Sequence, residues 1–187
     1  MKGNKVVVAF LLKAGALYVL WHLVYQRYLE VDGTFIKSVA AHVAAVSTSM
    51  LSLLGYNATQ YLHEDGFATE IGINQVPVVW IDSGCTGLTL MALFAGFILA
   101  YPGPWQRKAW YIPVGLFAIY LINFFRVIIL AIARVSMSDK SFDFNHKYTY
   151  TLFTYAAIFG LWMLWANRLS GISLSSVSTP SNGDQGE

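Results

Sequence analysis

Three side chains of this sequence have the types needed for nucleophilic chemistry: Cys85, the only cysteine of the chain, Arg126 and His146. A thiolate is the reactive form of cysteine, and its pKa falls when a cation or a histidine stands beside it. A histidine can take that proton and return it to a leaving amine. Arg126 is too basic to act as a base, so its role would be electrostatic: stabilising a tetrahedral oxyanion or orienting a substrate carbonyl. Asn123, three residues before Arg126, shares its face if the segment is helical and could help hold it. Gly84 and Gly87 bracket Cys85 and Thr86 and let backbone approach the sulfur closely. Each residue alone has a plainer reading. A lone cysteine in an apolar context is usually a small buried hydrophobe, Arg126 could pair with an acid such as Asp82, and His146 could be an ordinary interfacial histidine. Only a common location gives the set chemical meaning.

Composition says what must create that location. Of 187 residues, 56% are hydrophobic and 12% charged, too little charge to cover a water-soluble domain, so the bilayer is part of the solvent. A net charge of +2 without a dense basic run excludes a nucleic-acid partner. One cysteine makes no internal disulfide, so cysteine pairing says nothing about compartment. Crossing ~30 Å of hydrocarbon takes about 20 mostly apolar helical residues. Five stretches approach this: Val6–Tyr25, Phe35–Gly55, Gly84–Tyr101, Trp110–Ala133 and Tyr148–Asn167. Lys2 and Lys5 precede the first stretch, but no small-x-small cleavage site and polar mature domain follow, so it reads as a span. Lys13, near its start, can snorkel to the interface. The second stretch is the weakest, with His42, Ser47, Thr48, Ser49 and Ser52 inside it; such polar faces look at other helices. The expected fold is an all-α integral membrane protein of about five transmembrane helices, with a small extracytoplasmic β-rich loop between the second and third.

That loop, Tyr56–Ser83, carries Glu64, Asp65, Glu70 and Asp82 and no Lys or Arg, which marks it as non-cytoplasmic. Its β-branched runs Ala68–Val76 and Val78–Ile81 suit a short strand pair. Asn57-Ala58-Thr59 matches a glycosylation sequon, a pattern that arises often by chance. Pro102-Gly103-Pro104, followed by Arg107 and Lys108, reads as a tight cytoplasmic hairpin. Arg134, Lys140 and Lys147 in the next loop argue the other way, but the basic-free loop is longer and has no exception. Residues 1–169 thus form one membrane domain, and 170–187, rich in Ser, Gly, Asn and Pro, a disordered cytoplasmic tail. Five spans with that tail inside put the N-terminus outside, against the pull of Lys2 and Lys5.

Span geometry then supplies the common location. Arg126 lies about 16 residues, or ~24 Å, beyond Trp110, near the outer edge of the hydrocarbon. Cys85 opens the third span at that edge, and His146 precedes the fifth on the same side. Other candidates converge less well. His22 and His42 could ligate a haem between spans only with both rings at one depth, and His63-Glu64-Asp65 are three consecutive residues that do not close on one ion. A solvated turn explains the latter, and no metal or cofactor is expected. The aromatics, 16% of the chain, are what interfacial belts and packed spans contain.

Gly84-Cys85-Thr86-Gly87 opening a span, Asn123-Phe124-Phe125-Arg126 late in the next, and His146 before another resemble the Cys, Arg and His motifs of the exosortase/archaeosortase family. The Pro-Gly-Pro turn after Phe94–Tyr101 and the run Phe142–Thr149 fit as well, and look especially like the short exosortase-family proteins of Bacteroidetes. The resemblance covers roughly Ser83 to Asn167; before that only hydropathy matches. It implies a membrane-embedded cysteine protease or transpeptidase with Cys85 as nucleophile, His146 as acid/base and Arg126 as positive partner. Its substrates would be exported proteins ending in a sorting signal of short motif, apolar helix and basic end. Cleavage would give a thioester on Cys85, resolved by water or by an amine from a lipid or envelope component. The location implied is the cell inner membrane, multi-pass, with the site facing the extracytoplasmic side. Two departures stand out: many relatives have about eight spans, and Thr86 stands where many have serine. A non-catalytic assembly or transport factor that binds a partner helix through these polar residues is the competing reading.

Overall fold

The computed structural model describes residues 2–29, 33–62, 69–81, 83–136 and 149–171. Among them Glu70 is the one carboxylate side chain, and the long apolar runs become helices, which satisfy their own backbone in an apolar solvent. These are α1 (Lys2–Val24, continued by a π turn, Tyr25–Leu29), α2 (Thr34–Leu53), α3 (Leu88–Ala100), α4 (Trp105–Ser136) and α5 (Tyr150–Leu164, continued by a π turn, Trp165–Leu169). Between α2 and α3 the β-branched segment forms a three-stranded antiparallel sheet, β1 (Ala58–Leu62), β2 (Thr69–Ile73) and β3 (Val76–Ile81), in that order. Asn74 and Gln75 join β2 to β3 with φ of 53° and 67°. Two positive φ values in a two-residue loop make the tight hairpin whose twist matches its strands. The sequence predicts only a strand pair here; β1 adds a third by pairing Ala58 opposite Ile73 and Thr59 opposite Gly72.

Two apolar clusters hold the molecule. One joins the sheet (Ile71, Ile73, Ile81) to α2 (Ala40, Val43, Ala44, Leu51) and to the last third of α4 (Val127, Ile128, Ala131). The other joins α3 (Phe94, Ile98), the first half of α4 (Tyr111, Ile119) and α5 (Ile158, Trp165). The bundle therefore has a sheet end and a hairpin end. At the hairpin end Phe10 of α1 meets the rings of Phe97 and Tyr101 at 5.5 and 5.6 Å. Arg107 donates from Nη1 to the carbonyl of Leu169 at 3.0 Å, and Tyr111 donates from its hydroxyl to Leu161 O at 2.8 Å.

The start of α1, the α3–α4 hairpin and the end of α5 share one end of the bundle. The apolar stripe of α2 is taken up by the sheet and by α4 beyond its midpoint. Length and composition match the five expected spans only in part. Val7–Tyr28, Thr34–Leu53 and Trp105–Ser136 are long and apolar enough to cross a membrane, while Leu88–Ala100 is shorter. The third expected span loses its first residues to a 3-10 turn, Ser83–Thr86, and α3 keeps 13 residues, ~20 Å of helix. By contrast α4 runs for 32 residues, ~48 Å, and overhangs the hydrocarbon. Of the expected tail, Ser170 and Gly171 are described and 172–187 lie outside the described residues.

The α3–α4 contact depends on one glycine. The ring of Phe94 lies so close to Gly115 that a side chain there would meet ring carbons at 2.1 and 2.2 Å, the close approach that small residues permit between membrane helices. Gly115→Val is expected to push Phe94 off its site at a cost of about 1–3 kcal/mol or more, read as a lower unfolding temperature in detergent and reduced accumulation in membranes. An unchanged unfolding temperature would contradict this packing.

Candidate active site

The site is built where the sheet hands the chain to α3. After Ile81 the backbone makes the 3-10 turn Ser83–Thr86 and then reverses at Gly87, whose φ of +74° is in the left-handed region. Only glycine enters that region cheaply, and here a side chain would also press on Asn123, whose Cγ lies 3.3 Å from the position of a Cβ. Cys85 is half-buried, packed against the cluster of sheet, α2 and α4. Thr86 is fully enclosed and its Oγ1 accepts from Leu88 N at 3.5 Å, one of the amides that the start of a helix leaves open.

On α4, Asn123 is 2% exposed and donates from Nδ2 to the carbonyl oxygen of Cys85. Sequence reasoning paired Asn123 with Arg126; the structure pairs it with the cysteine turn. Arg126 follows one turn later, half-buried, with Nε shielded from solvent and unpartnered among the described residues. It lines a cavity of about 350 Å³ with Gly87, Thr89 and Leu93 on the α3 side and Thr151, Thr154 and Tyr155 on α5. Cys85 and Arg126 thus reach one end of the bundle through a single side chain, Asn123, that touches the cysteine turn and shares a helical face with the arginine.

His146 lies outside the described residues, as do Asp82, Asp143 and the run His63-Glu64-Asp65. Thr151, five residues beyond His146 in the sequence, lines the Arg126 cavity. The hydroxyls at positions 151, 154 and 155 went unremarked in the sequence. Their signal is spacing, because residues three and four apart share a helical face, but three hydroxyls in a span read equally as helix-packing polarity. The two histidines considered for a haem have separate neighbours: His22 stacks on Tyr18 of its own helix at 6.2 Å, whereas His42 reaches the hydroxyl of Tyr120 on α4 at 3.3 Å. No group of three or more His, Cys, Asp or Glu suited to a metal occurs among the described residues.

The hydrogen bond to Cys85 O predicts a separable effect. Asn123→Leu leaves that carbonyl without its donor, costing about 1–3 kcal/mol, and loosens the turn that aims the thiol. Alkylation of Cys85 by a maleimide should become faster while any Cys85-dependent reaction slows roughly tenfold or more. Unchanged alkylation and turnover together would remove Asn123 from the site.

A mostly helical chain with long apolar helices, a small sheet capping one end and polar side chains gathered beneath it defines an integral membrane protein. Compared with known families, the chain matches the transmembrane exosortase family over residues 2–165, and it belongs to that family. The match takes in α1 and α2, where the sequence alone showed only hydropathy. No curated protein and no solved structure matches the chain.

Proposed function

We propose that the chain is a membrane-embedded cysteine protease or transpeptidase acting on the C-terminal sorting signal of exported proteins. The observation that carries this reading is the placement of Arg126, partly desolvated in a cavity beside the turn that holds Cys85. A partly desolvated guanidinium with no described counter-ion is costly to keep, and a site that develops negative charge during reaction gives it a use.

In the proposed reaction the Cys85 thiolate attacks the scissile carbonyl carbon, and the tetrahedral oxyanion forms within reach of Arg126. Collapse breaks the C–N bond as His146, protonated, gives its proton to the leaving amine. The acyl group remains on sulfur as a thioester. Water or an envelope amine, deprotonated by His146, then attacks that carbonyl and releases the thiolate. The substrate's apolar helix would lie in the bilayer beside the bundle, which puts the scissile motif at the level of the cysteine.

Orientation follows the charges. Lys5, Lys13, Arg107, Lys108 and Arg168 lie on helices toward the hairpin end, and the strands of the sheet carry no Lys or Arg. Under the positive-inside tendency the hairpin end is cytoplasmic and the cysteine turn extracytoplasmic in the cell inner membrane. With both termini of the bundle inside, the basic start of α1 no longer conflicts with the rest. The test is processing in cells: a co-expressed exported protein ending in motif, apolar helix and basic residues is shortened by the natural chain, and shortening stops in Cys85→Ala and in His146→Ala.

A further inference from the structure

At the hairpin end, remote from Cys85, α1 and the α3–α4 hairpin enclose a cavity of about 380 Å³ that Lys5, Lys13 and Lys108 line and that, among the described residues, no carboxylate lines. Lys108 is the anchored member. It is 6% exposed, its Nζ donates to Leu99 O at 2.9 Å and Tyr101 O at 2.7 Å, and it lies 5.5 Å from the Trp105 ring. Those carbonyls belong to the end of α3, where acceptors lack helical donors. An ammonium has three N–H groups, so one remains after the two carbonyls are served. Lys5 and Lys13 are exposed on α1, about two turns apart on one side of the helix.

Three cations around one concave, partly apolar wall repel each other, and none has a described acid to meet it. Phe10 and Leu99 border the same cavity, so its lining combines ammonium groups with hydrocarbon. That combination matches an amphipathic anion at a membrane interface, where each lysine near anionic headgroups contributes attraction and basic pockets between helices hold lipid phosphates. A cationic peptide segment is repelled by the same three charges. The consequence is mechanical, because no residue of the apolar window of α1 is fully buried and an anion bridging Lys5 and Lys13 to Lys108 fastens it to the hairpin. We propose that this cavity binds the phosphodiester of an anionic membrane lipid, with the lipid chains running along Phe10 and Leu99, independently of the chemistry at Cys85.

The test uses the full chain in an uncharged detergent, titrated with dioleoylphosphatidylglycerol or dioleoylphosphatidylcholine and read by native mass spectrometry together with the unfolding temperature. Phosphatidylglycerol is expected to bind at least about tenfold more tightly than phosphatidylcholine and to raise the unfolding temperature. The double variant Lys5→Gln/Lys13→Gln is expected to lose roughly twentyfold in that affinity, a few-fold per lysine, while Lys5→Arg/Lys13→Arg retains it. Lys108 is left in place because it caps α3. Equal binding of the two lipids, or unchanged phosphatidylglycerol binding in the glutamine variant, overturns the proposal. Displacement of the lipid by an equal concentration of inorganic phosphate also overturns it, assigning the cavity to a soluble phosphate instead.

Discussion

Replacing Cys85 with alanine is expected to abolish processing, a loss on the scale of about 10⁴–10⁶ found when an acyl-transfer enzyme is deprived of its nucleophile. The protein itself should accumulate normally. Cys85 is half-buried at the edge of the cluster of sheet, α2 and α4, so removing one sulfur withdraws little apolar area, within about 1 kcal/mol. The turn keeps its backbone partner as well, since Asn123 donates to the main-chain carbonyl at position 85. Activity and stability therefore separate at this residue, and the measurement is substrate cleavage by gel mobility beside the unfolding temperature. Cys85→Ser extends the test. A hydroxyl is much the poorer nucleophile near neutral pH, so the serine variant is expected to be inactive too, with no hydroxylamine-sensitive adduct to substrate. A serine variant that works in cells as well as the natural chain would leave the non-catalytic assembly or transport factor as the better reading.

How much of this was legible in the sequence differs by element. The apolar runs that become α1, α4 and α5 announce themselves because a membrane helix must be apolar over its whole length. The element about which hydropathy says least is α2. Ala40, Val43, Ala44 and Leu51 form an apolar stripe of ordinary helical period, and nothing in that period says whether lipid or a sheet will cover it. The sheet itself was partly visible, because Ile71, Ile73, Val78 and Ile81 favour strands. Ala58–Leu62 was not, since its pairing comes from Ile73 and Thr69 across the chain. At the site, Cys85 and Arg126 could be brought to one depth by counting residues along spans. The donor–acceptor link from Asn123 to Cys85 O needed coordinates, because Gly87 has to reverse the backbone before that carbonyl points at α4. Lys108 shows the same gap: a lysine beside an arginine in a hairpin reads as a solvated charge, yet the end of α3 draws it inside.

Arg126→Met is expected to lose about 10²–10³-fold in turnover, the size of effect seen when a group stabilising a developing oxyanion is removed, and to gain or hold thermal stability. The sign of the second effect is the informative one. A structural arginine, paired across helices, destabilises a protein when it is removed because its partner is stranded. Arg126 has Nε buried without a partner among the described residues and faces a cavity bordered by hydroxyl-bearing side chains. Removing it relieves the expense of a desolvated charge, and methionine fills the space with a flexible apolar chain. Arg126→Lys divides charge from shape: it keeps the cation but replaces a planar fork by a strongly hydrated point charge, so it should recover only part of the turnover. The measurements are single-turnover cleavage and the unfolding temperature for both variants beside the natural chain. A marked fall in unfolding temperature for Arg126→Met, or full activity in it, would move Arg126 from the reaction to the scaffold. The arginine and the cysteine are thereby tested by different readouts, and agreement between them is what a shared transition state requires.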